Sequence, residues 1–185
     1  VLGDPVDMIA SGPAYPDSST CDDALAIVSK YALTLSARAL SYLNQETPKK
    51  LDNVETYISG SVRQLCESAK EQCTALGYEP FILTDMLDCI AREAGSFFAS
   101  IAKTYAGHGR SLAFIAGGET VVKLTGKGLG GRNQELALSA AAGIAGMDNV
   151  AIFSVGSDGT DGPTDAAGGY VDGMTASVLC ENSIS

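Results

Sequence analysis

Short apolar runs of strand length alternate with longer segments of helical period through the second half of the chain. Strands are predicted at 54–59, 80–84, 112–116, 120–124 and 150–155, and helices at 62–76, 89–105 and 134–144. This alternation is typical of a layered α/β domain. A tight Gly-Gly-Glu link joins 112–116 to 120–124, which predicts one antiparallel hairpin and therefore a mixed, largely parallel sheet.

The first fifty residues differ from this pattern, because they contain turn-forming residues and two short helical segments. One helix is predicted to begin at Ser19 or Thr20 as its cap, with acidic residues in the first turn, where the helix dipole favours them. A second is predicted over about 36–44. Residues 47–53 are polar and lack periodicity, so we predict a domain boundary there that separates 1–50 from 51–185.

Charge and cysteine content exclude several classes of function. The net charge of −10 repels the phosphates of nucleic acids and anionic lipid heads, and no basic stripe offsets it. The five cysteines are odd in number and contain no C-x-x-C pair, which disfavours a disulfide framework or a thiolate zinc site. The sequence shows no signal peptide and no apolar run of membrane-spanning length. We predict a cytoplasmic protein that binds neither nucleic acid nor a membrane.

A glycine-rich segment precedes the helix predicted at 134–144. Small residues let several backbone N–H groups face one point, and a helix N-terminus favours negative charge, so the segment predicts an anion-binding nest. Lys127 and Arg132 add positive charge, and an arginine can hold a phosphate or carboxylate through two N–H groups. A flexible loop whose glycines serve only its turns is the alternative. The glycines concerned are Gly126, Gly128, Gly130 and Gly131.

Three carboxylates, Asp158, Asp161 and Asp165, follow the strand predicted at 150–155. Ligands of open α/β sheets collect at the carboxyl ends of strands. Aspartates in such a place can hold Mg²⁺ through one or two oxygens or accept a proton from a hydroxyl group. Asp158 and Asp161 are the predicted metal ligands. The loop lacks the spacing and closing glutamate of an EF-hand, and a structural capping loop is the alternative.

Four strings give the chain a resemblance to the class II glycerate kinases, whose C-terminal part is known as the MOFRL domain. They are GDPVDMIASGP at 3–13, GGETVV at 117–122, GGRNQELAL at 130–138 and SDGTDGPTDAAG at 157–168. The resemblance extends over essentially the whole chain. The chain opens without a methionine and is similar to a C-terminal piece of such an enzyme.

The resemblance implies phosphorylation of D-glycerate by ATP with Mg²⁺, generally to 2-phosphoglycerate, in a cleft between two domains. Residues 1–50 would end an N-terminal Rossmann-like domain, and 51–185 would form a truncated MOFRL-like α/β domain that is inactive alone. A hydroxypyruvate reductase that uses NAD(P)H and a non-catalytic domain that binds small molecules are the alternatives. The predicted partners are ATP and D-glycerate, and a homodimer is left open.

Phosphoryl transfer requires positioning and charge neutralisation, which guides the assignment of roles. Arg132 is predicted to clamp the transferring phosphoryl group or the glycerate carboxylate, and Glu135 to orient Arg132. Asp158 would also be catalytic, and Asp4 would act from the other wall of the cleft. The residues predicted to bind substrate or phosphate combine loop glycines with polar neighbours: Glu119, Gly126, Lys127, Gly128, Gly130, Gly131 and Asn133.

Overall fold

The computed structural model describes residues 2–182 and separates the chain into two compact units, Val1–Ser61 and Val62–Ser185. The domain boundary predicted after residue 50 falls inside the first unit, and the assignment of two domains stays a prediction. Within the described residues, the first unit contains a 3₁₀ turn at Ile9–Ser11 and the helices α1 (Cys21–Lys30) and α2 (Ala37–Leu43).

Helix α1 begins where the sequence predicts, because Thr20 caps it. The Thr20 hydroxyl accepts a hydrogen bond from the backbone N–H of Asp23 at 3.2 Å, and the Asp23 carboxylate accepts one from the backbone N–H of Thr20 at 2.9 Å. This reciprocal pair satisfies two N–H groups that a helix start leaves without partners. Ser36 caps α2 through a 3.2 Å hydrogen bond from the Ala39 N–H.

The strand predicted at 54–59 is wrong, because these residues have no regular secondary structure. Tyr57 is 82% exposed and Ile58 is 56% exposed. A strand is stable only when a neighbouring strand takes up its backbone hydrogen bonds. The structure shows no such neighbour for 54–59 among the strands that it describes.

The second unit has the α/β class that the sequence predicts. A parallel pair joins β1 (Glu79–Leu87) to β2 (Leu112–Gly118), and an antiparallel pair joins β3 (Ala151–Val155) to β4 (Gly168–Asp172). Within residues 62–182, no helix is both long and apolar enough to cross a membrane. In chain order the elements are α3 (Val62–Ala75), β1 (Glu79–Leu87), α4 (Ala91–Tyr105), β2 (Leu112–Gly118), α5 (Arg132–Ala141), β3 (Ala151–Val155), β4 (Gly168–Asp172) and α6 (Thr175–Glu181).

The hairpin predicted between 112–116 and 120–124 is also wrong. Gly118 has a φ of 154°, and a Cβ there would lie 2.2 Å from the Leu87 carbonyl oxygen. Beyond Gly118 the chain continues past the end of β1 instead of folding back on β2. Val121 makes one parallel bridge with Ile90, and its N–H donates to the Cys89 carbonyl at 3.0 Å. The antiparallel pair forms later, between β3 and the unpredicted β4.

Helix α5 is central to the packing of the second unit, since it contacts α4 on one side and β3 and β4 on the other. Small side chains allow these close approaches. A Cβ on Gly95 of α4 would lie 2.1 Å from the Leu136 carbonyl oxygen, and one on Gly169 of β4 would lie 2.9 Å from the Ala137 Cβ. The start of α5 is therefore held in a fixed place. The buried residues around this helix are Ala91, Ala94, Ala99, Leu136, Ala137, Ala140, Ala141, Ile144 and Val171.

Candidate functional site

The loop that follows β3 packs directly against the N-terminus of α5. Gly162 has a φ of 61°, and a Cβ there would lie 2.3 Å from the Gly130 carbonyl oxygen. A Cβ on Gly131 would lie 2.2 Å from the Asp161 Cγ. Any larger residue at either position would push the two segments apart. These glycines bring together the glycine-rich segment and the aspartate-rich loop that the sequence singled out.

Asp161 caps α5 from this loop. The side chain is 2% exposed, and both of its oxygens accept hydrogen bonds from the first turn of the helix. Oδ1 accepts from the Asn133 backbone N and Nδ2, each at 3.0 Å. Oδ2 accepts from the Gln134 backbone N at 2.8 Å and from its Nε2 at 3.1 Å. Burial raises the pKa of Asp161, but the hydrogen bonds from Gln134 and Asn133 outweigh it, so the pKa lies below the ordinary 3.8.

The capping role of Asp161 bears on two predictions, the anion-binding site at the start of α5 and the role of Asp161 as a metal ligand. The N–H groups of Asn133 and Gln134, which a bound phosphate would use at this helix N-terminus, already donate to a carboxylate of the same chain. Neither oxygen of Asp161 is free of N–H donors, which suits a cap better than a metal ligand. Among residues 2–182, no three histidine, cysteine, aspartate or glutamate side chains come together in a group that could hold a metal ion.

Arg132 is the first residue of α5. Its Nη1 lies 2.5 Å from Glu119 Oε1, just beyond β2, and the two side chains are 46% and 45% exposed. Glu135 faces α4 and pairs with Arg92, with Nε and Oε1 3.4 Å apart. The prediction that Glu135 orients Arg132 is therefore wrong, because α4 provides Glu135 with a different arginine. Glu119, and not Glu135, is the carboxylate that pairs with Arg132.

Asp158 is exposed on the same loop as Asp161 and accepts a hydrogen bond from the Thr160 N–H at 3.1 Å. Hydrogen bonds from Thr160 are the largest cause that lowers the pKa of Asp158, and the positive charge of Arg132 adds to the effect. Arg132 thus lies near enough to Asp158 for its charge to act on the carboxylate. Both groups are open to a ligand.

The other predicted residues are less constrained. Lys127 lies in the exposed segment before α5, and Cβ atoms on Gly128 and Gly130 would meet nothing within 4 Å. Packing of the described residues therefore does not require glycine at these two positions. Asp4 lies in the first unit with a φ of 52°.

Three residues of this region were missed by sequence reasoning: Gln134, Ser154 and Thr164. Each supplies a hydrogen bond to Asp161 or to Asn133. Only Thr164 had a local signal, because its hydroxyl donates to the Asp161 carbonyl three residues earlier, as threonines in turns commonly do.

Comparison with known proteins gives two family matches. Residues 112–185 match the MOFRL family, and residues 1–44 match a domain of unknown function called DUF4147. A D-glycerate 2-kinase from Thermotoga maritima is 54% identical over 183 residues, which cover 97% of this chain and 44% of the relative. A protein from Agrobacterium vitis named putative hydroxypyruvate reductase is 36% identical and covers 92% of this chain and 41% of the relative.

The fold agrees with these similarities. The crystal structure of a glycerate kinase from Thermotoga maritima superposes with a TM-score of 0.88 at 52% identity, over 99% of this chain and 45% of that protein. The chain thus spans less than half the length of these two curated relatives.

Proposed function

We propose that the chain is part of a MOFRL-containing glycerate 2-kinase and takes part in the transfer of the ATP γ-phosphoryl group to D-glycerate, giving 2-phosphoglycerate. The observation that supports this most is the 54% identity to a D-glycerate 2-kinase over 97% of the chain. Because the chain covers under half of that enzyme, the activity of a whole protein is inferred from the relative.

Arg132 is the proposed clamp for the transferring phosphoryl group or the glycerate carboxylate. Its guanidinium is half-exposed, and its partner Glu119 is an exposed carboxylate that an anionic ligand can replace. An exposed ion pair of this kind contributes only about 0–1 kcal/mol, so exchanging Glu119 for a ligand anion costs little. Arginine offers two parallel N–H groups to a phosphate or carboxylate, which suits the charge that develops during phosphoryl transfer. Before a ligand binds, the ion pair with Glu119 would keep the Arg132 side chain in position.

Asp158 is the residue that fits Mg²⁺ in this proposal. A protein usually holds Mg²⁺ through one or two carboxylates, and the nucleotide phosphates and water complete the shell. The exposed Asp158 carboxylate fits that role, whereas both oxygens of the buried Asp161 accept N–H donors. The ion would neutralise charge on the phosphates. Lys127 and the N–H groups of Gly126, Gly128, Gly130 and Gly131 are proposed for phosphate contacts, and Asp4 for the attacking hydroxyl.

Kinase activity can be tested in a chimera in which this chain replaces the region that it matches in the Thermotoga maritima D-glycerate 2-kinase. With ATP, Mg²⁺ and D-glycerate, ³¹P NMR is expected to show 2-phosphoglycerate, and coupled assays should show stoichiometric ADP. A folded chimera that forms no phosphoglycerate would contradict the proposal. Oxidation of NADH or NADPH with hydroxypyruvate, measured on the same preparation, tests the alternative.

The reductase alternative arises from the name of the Agrobacterium vitis relative. Gly126, Gly128 and Gly131 do stand at the spacing G-x-G-x-x-G of a dinucleotide fingerprint. That fingerprint requires a strand that turns at once into the helix. Here the preceding strand β2 ends at Gly118, and residues 122–125 have no regular structure before α5 begins. The glycine spacing therefore gives the reductase little support.

Asp158→Asn in the active chimera is expected to raise the Mg²⁺ concentration for half-maximal activity by about tenfold or to abolish turnover. The amide keeps the size of the side chain but removes the charge that attracts the cation. Asp148→Asn, another exposed aspartate outside the loop, is the matched control and should titrate like the parent. If Asp158→Asn also titrates like the parent, Asp158 does not bind the metal.

A further inference from the structure

Five polar side chains form a continuous hydrogen-bonded network beneath the aspartate-rich loop. The Ser154 hydroxyl donates to Asn133 Oδ1 at 2.6 Å, and Asn133 Nδ2 donates to Asp161 Oδ1 at 3.0 Å. Gln134 Nε2 donates to Asp161 Oδ2 at 3.1 Å and to the Thr164 hydroxyl at 2.9 Å. The network joins the end of β3, the first turn of α5 and two points of the loop.

Asn133 lies at the centre of this network and is 9% exposed. Its backbone N–H and both polar atoms of its side chain have partners inside the network. A residue that binds glycerate or ATP needs a polar atom directed at the ligand. The side chain of Asn133 instead connects two protein segments, so its geometry differs from that of the substrate ligand predicted from the sequence.

The proposed reacting groups are attached directly to these two segments. Arg132 precedes Asn133 in the chain, and Asp158 lies on the loop that Asp161 anchors. A Cβ on Gly156 would lie 2.9 Å from Asp158 Oδ1 and 3.6 Å from Asn133 Nδ2, so the Asp158 carboxylate lies close to the network. A change in the link between Asn133 and Asp161 would therefore shift Asp158 relative to Arg132.

We infer that Asn133 is a positioning residue, which acts on phosphoryl transfer by fixing the distance between Asp158 and Arg132 and does not contact either substrate. The inference rests on the proposed function for its catalytic part. Phosphoryl transfer depends mainly on placement of charged groups, and a displacement of about 1 Å can lower the rate about 100-fold. The buried network supplies the rigid support that such placement needs.

Ser154 has a defined part in this arrangement, because it sets the orientation of the Asn133 amide. Its hydroxyl donates to Oδ1, which leaves Nδ2 directed at the Asp161 carboxylate. The opposite orientation would place an amide oxygen against a carboxylate, and two acceptors repel each other. Ser154 lies in β3 and is not among the proposed reacting groups, so we expect a kinetic effect at Ser154 to come through its hydrogen bond to Asn133.

Hydrogen exchange in the 185-residue chain tests the network without reference to activity. Asn133→Ala is expected to accelerate exchange of the backbone amides of 156–168 at least about tenfold, while amides of α4 exchange as in the parent. Ser154→Ala should accelerate the same amides by a smaller factor, and Ser154→Thr, which keeps the hydroxyl, should restore protection. Unchanged exchange of 156–168 in both alanine variants would overturn the inference.

Kinetics in the chimera test the catalytic part. Asn133→Ala is expected to lower kcat at least about tenfold and leave KM for D-glycerate and ATP within about twofold. Ser154→Ala should lower kcat in the same direction, and the double variant should be no slower than Asn133→Ala alone, because the two residues act through one link. Ser154→Thr should recover the parent rate.

The outcomes separate positioning from direct binding and from mere stability. A rise in KM for one substrate in Asn133→Ala at an unchanged kcat, with Ser154→Ala behaving like the parent, would make Asn133 a ligand and overturn the inference. Lower melting temperatures with parent kinetics well below melting would also overturn it. A parent chimera without kinase activity would refute the proposed function, while hydrogen exchange would still decide whether the network holds the loop.

Discussion

Asp161→Ala is expected to destabilise the second unit by about 3 kcal/mol, since hydrogen bonds to a buried charged group contribute about 1.5–3 kcal/mol and orphaned donors add a penalty. The variant removes an acceptor from four N–H groups, two of them on the backbone of α5. For a chain of this size the loss corresponds to a fall in melting temperature of roughly 6–12 °C. Thermal and urea unfolding followed by circular dichroism measure it.

The same carboxylate gives the stability a defined dependence on pH. The pKa of Asp161 is lowered in the folded chain, so its contribution is complete above the unfolded value near 3.8 and is lost as the pH falls through the folded pKa. The difference in unfolding free energy between parent and Asp161→Ala should therefore be constant near neutral pH and should shrink in acid. The other acidic groups contribute equally to the pH dependence of both proteins, so their contributions cancel in this difference.

Asp165→Ala is the matched control for this experiment. Asp165 lies on the same loop but is exposed, so its removal should change the unfolding free energy by less than about 0.5 kcal/mol. An Asp161→Ala variant as stable as the Asp165→Ala variant would show that the cap contributes nothing. A difference between parent and Asp161→Ala that grows in acid would contradict the lowered pKa.

Local signals in the sequence were sufficient to predict most of the helices and several strands. Thr20 and Ser36 cap the helices that follow them, and the apolar periods of α3, α4 and α5 mark elements that the structure contains. These features depend on residues within one or two turns of each other. They can therefore be read without knowledge of the rest of the fold.

The errors concern elements that depend on distant partners. Residues 54–59 have the composition of a strand but have no neighbour among the strands that the structure describes, and the chain beyond β2 continues in parallel beside the end of β1, where Val121 bridges Ile90. Strand β4 begins with two glycines and escaped prediction, since its pairing with β3 supplies the order that its composition does not. Pairing across the sheet decided each of these cases.

In the candidate site, too, features that depend on local sequence were predicted and features that depend on distant residues were not. The glycine-rich and aspartate-rich segments were recognisable, because their residue types favour tight turns and anion or cation binding. The role of Asp161 was not, since its partners Asn133 and Gln134 lie 28 and 27 residues away in the chain. A carboxylate that caps a distant helix and one that binds Mg²⁺ look alike in a sequence.

Arg132→Lys in the active chimera is expected to lower kcat at least about tenfold, which corresponds to about 1.4 kcal/mol in the barrier. Lysine keeps the positive charge but loses the planar pair of N–H groups that fits a phosphoryl group or carboxylate. The stability should change by less than about 1 kcal/mol, because the ion pair with Glu119 is half-exposed. Steady-state kinetics and thermal unfolding on one preparation separate the two effects.

Arg92→Lys is the matched control, because Arg92 of α4 also pairs with a glutamate, Glu135 of α5, but is not among the proposed reacting groups. This variant should keep turnover within about twofold of the parent. Equal losses of turnover in the two variants would mean that the effect is not specific to Arg132, and Arg132 would lose its assigned role. Parent-like turnover of a folded Arg132→Lys variant would contradict the role as well, because a point charge would then serve as well as the planar guanidinium.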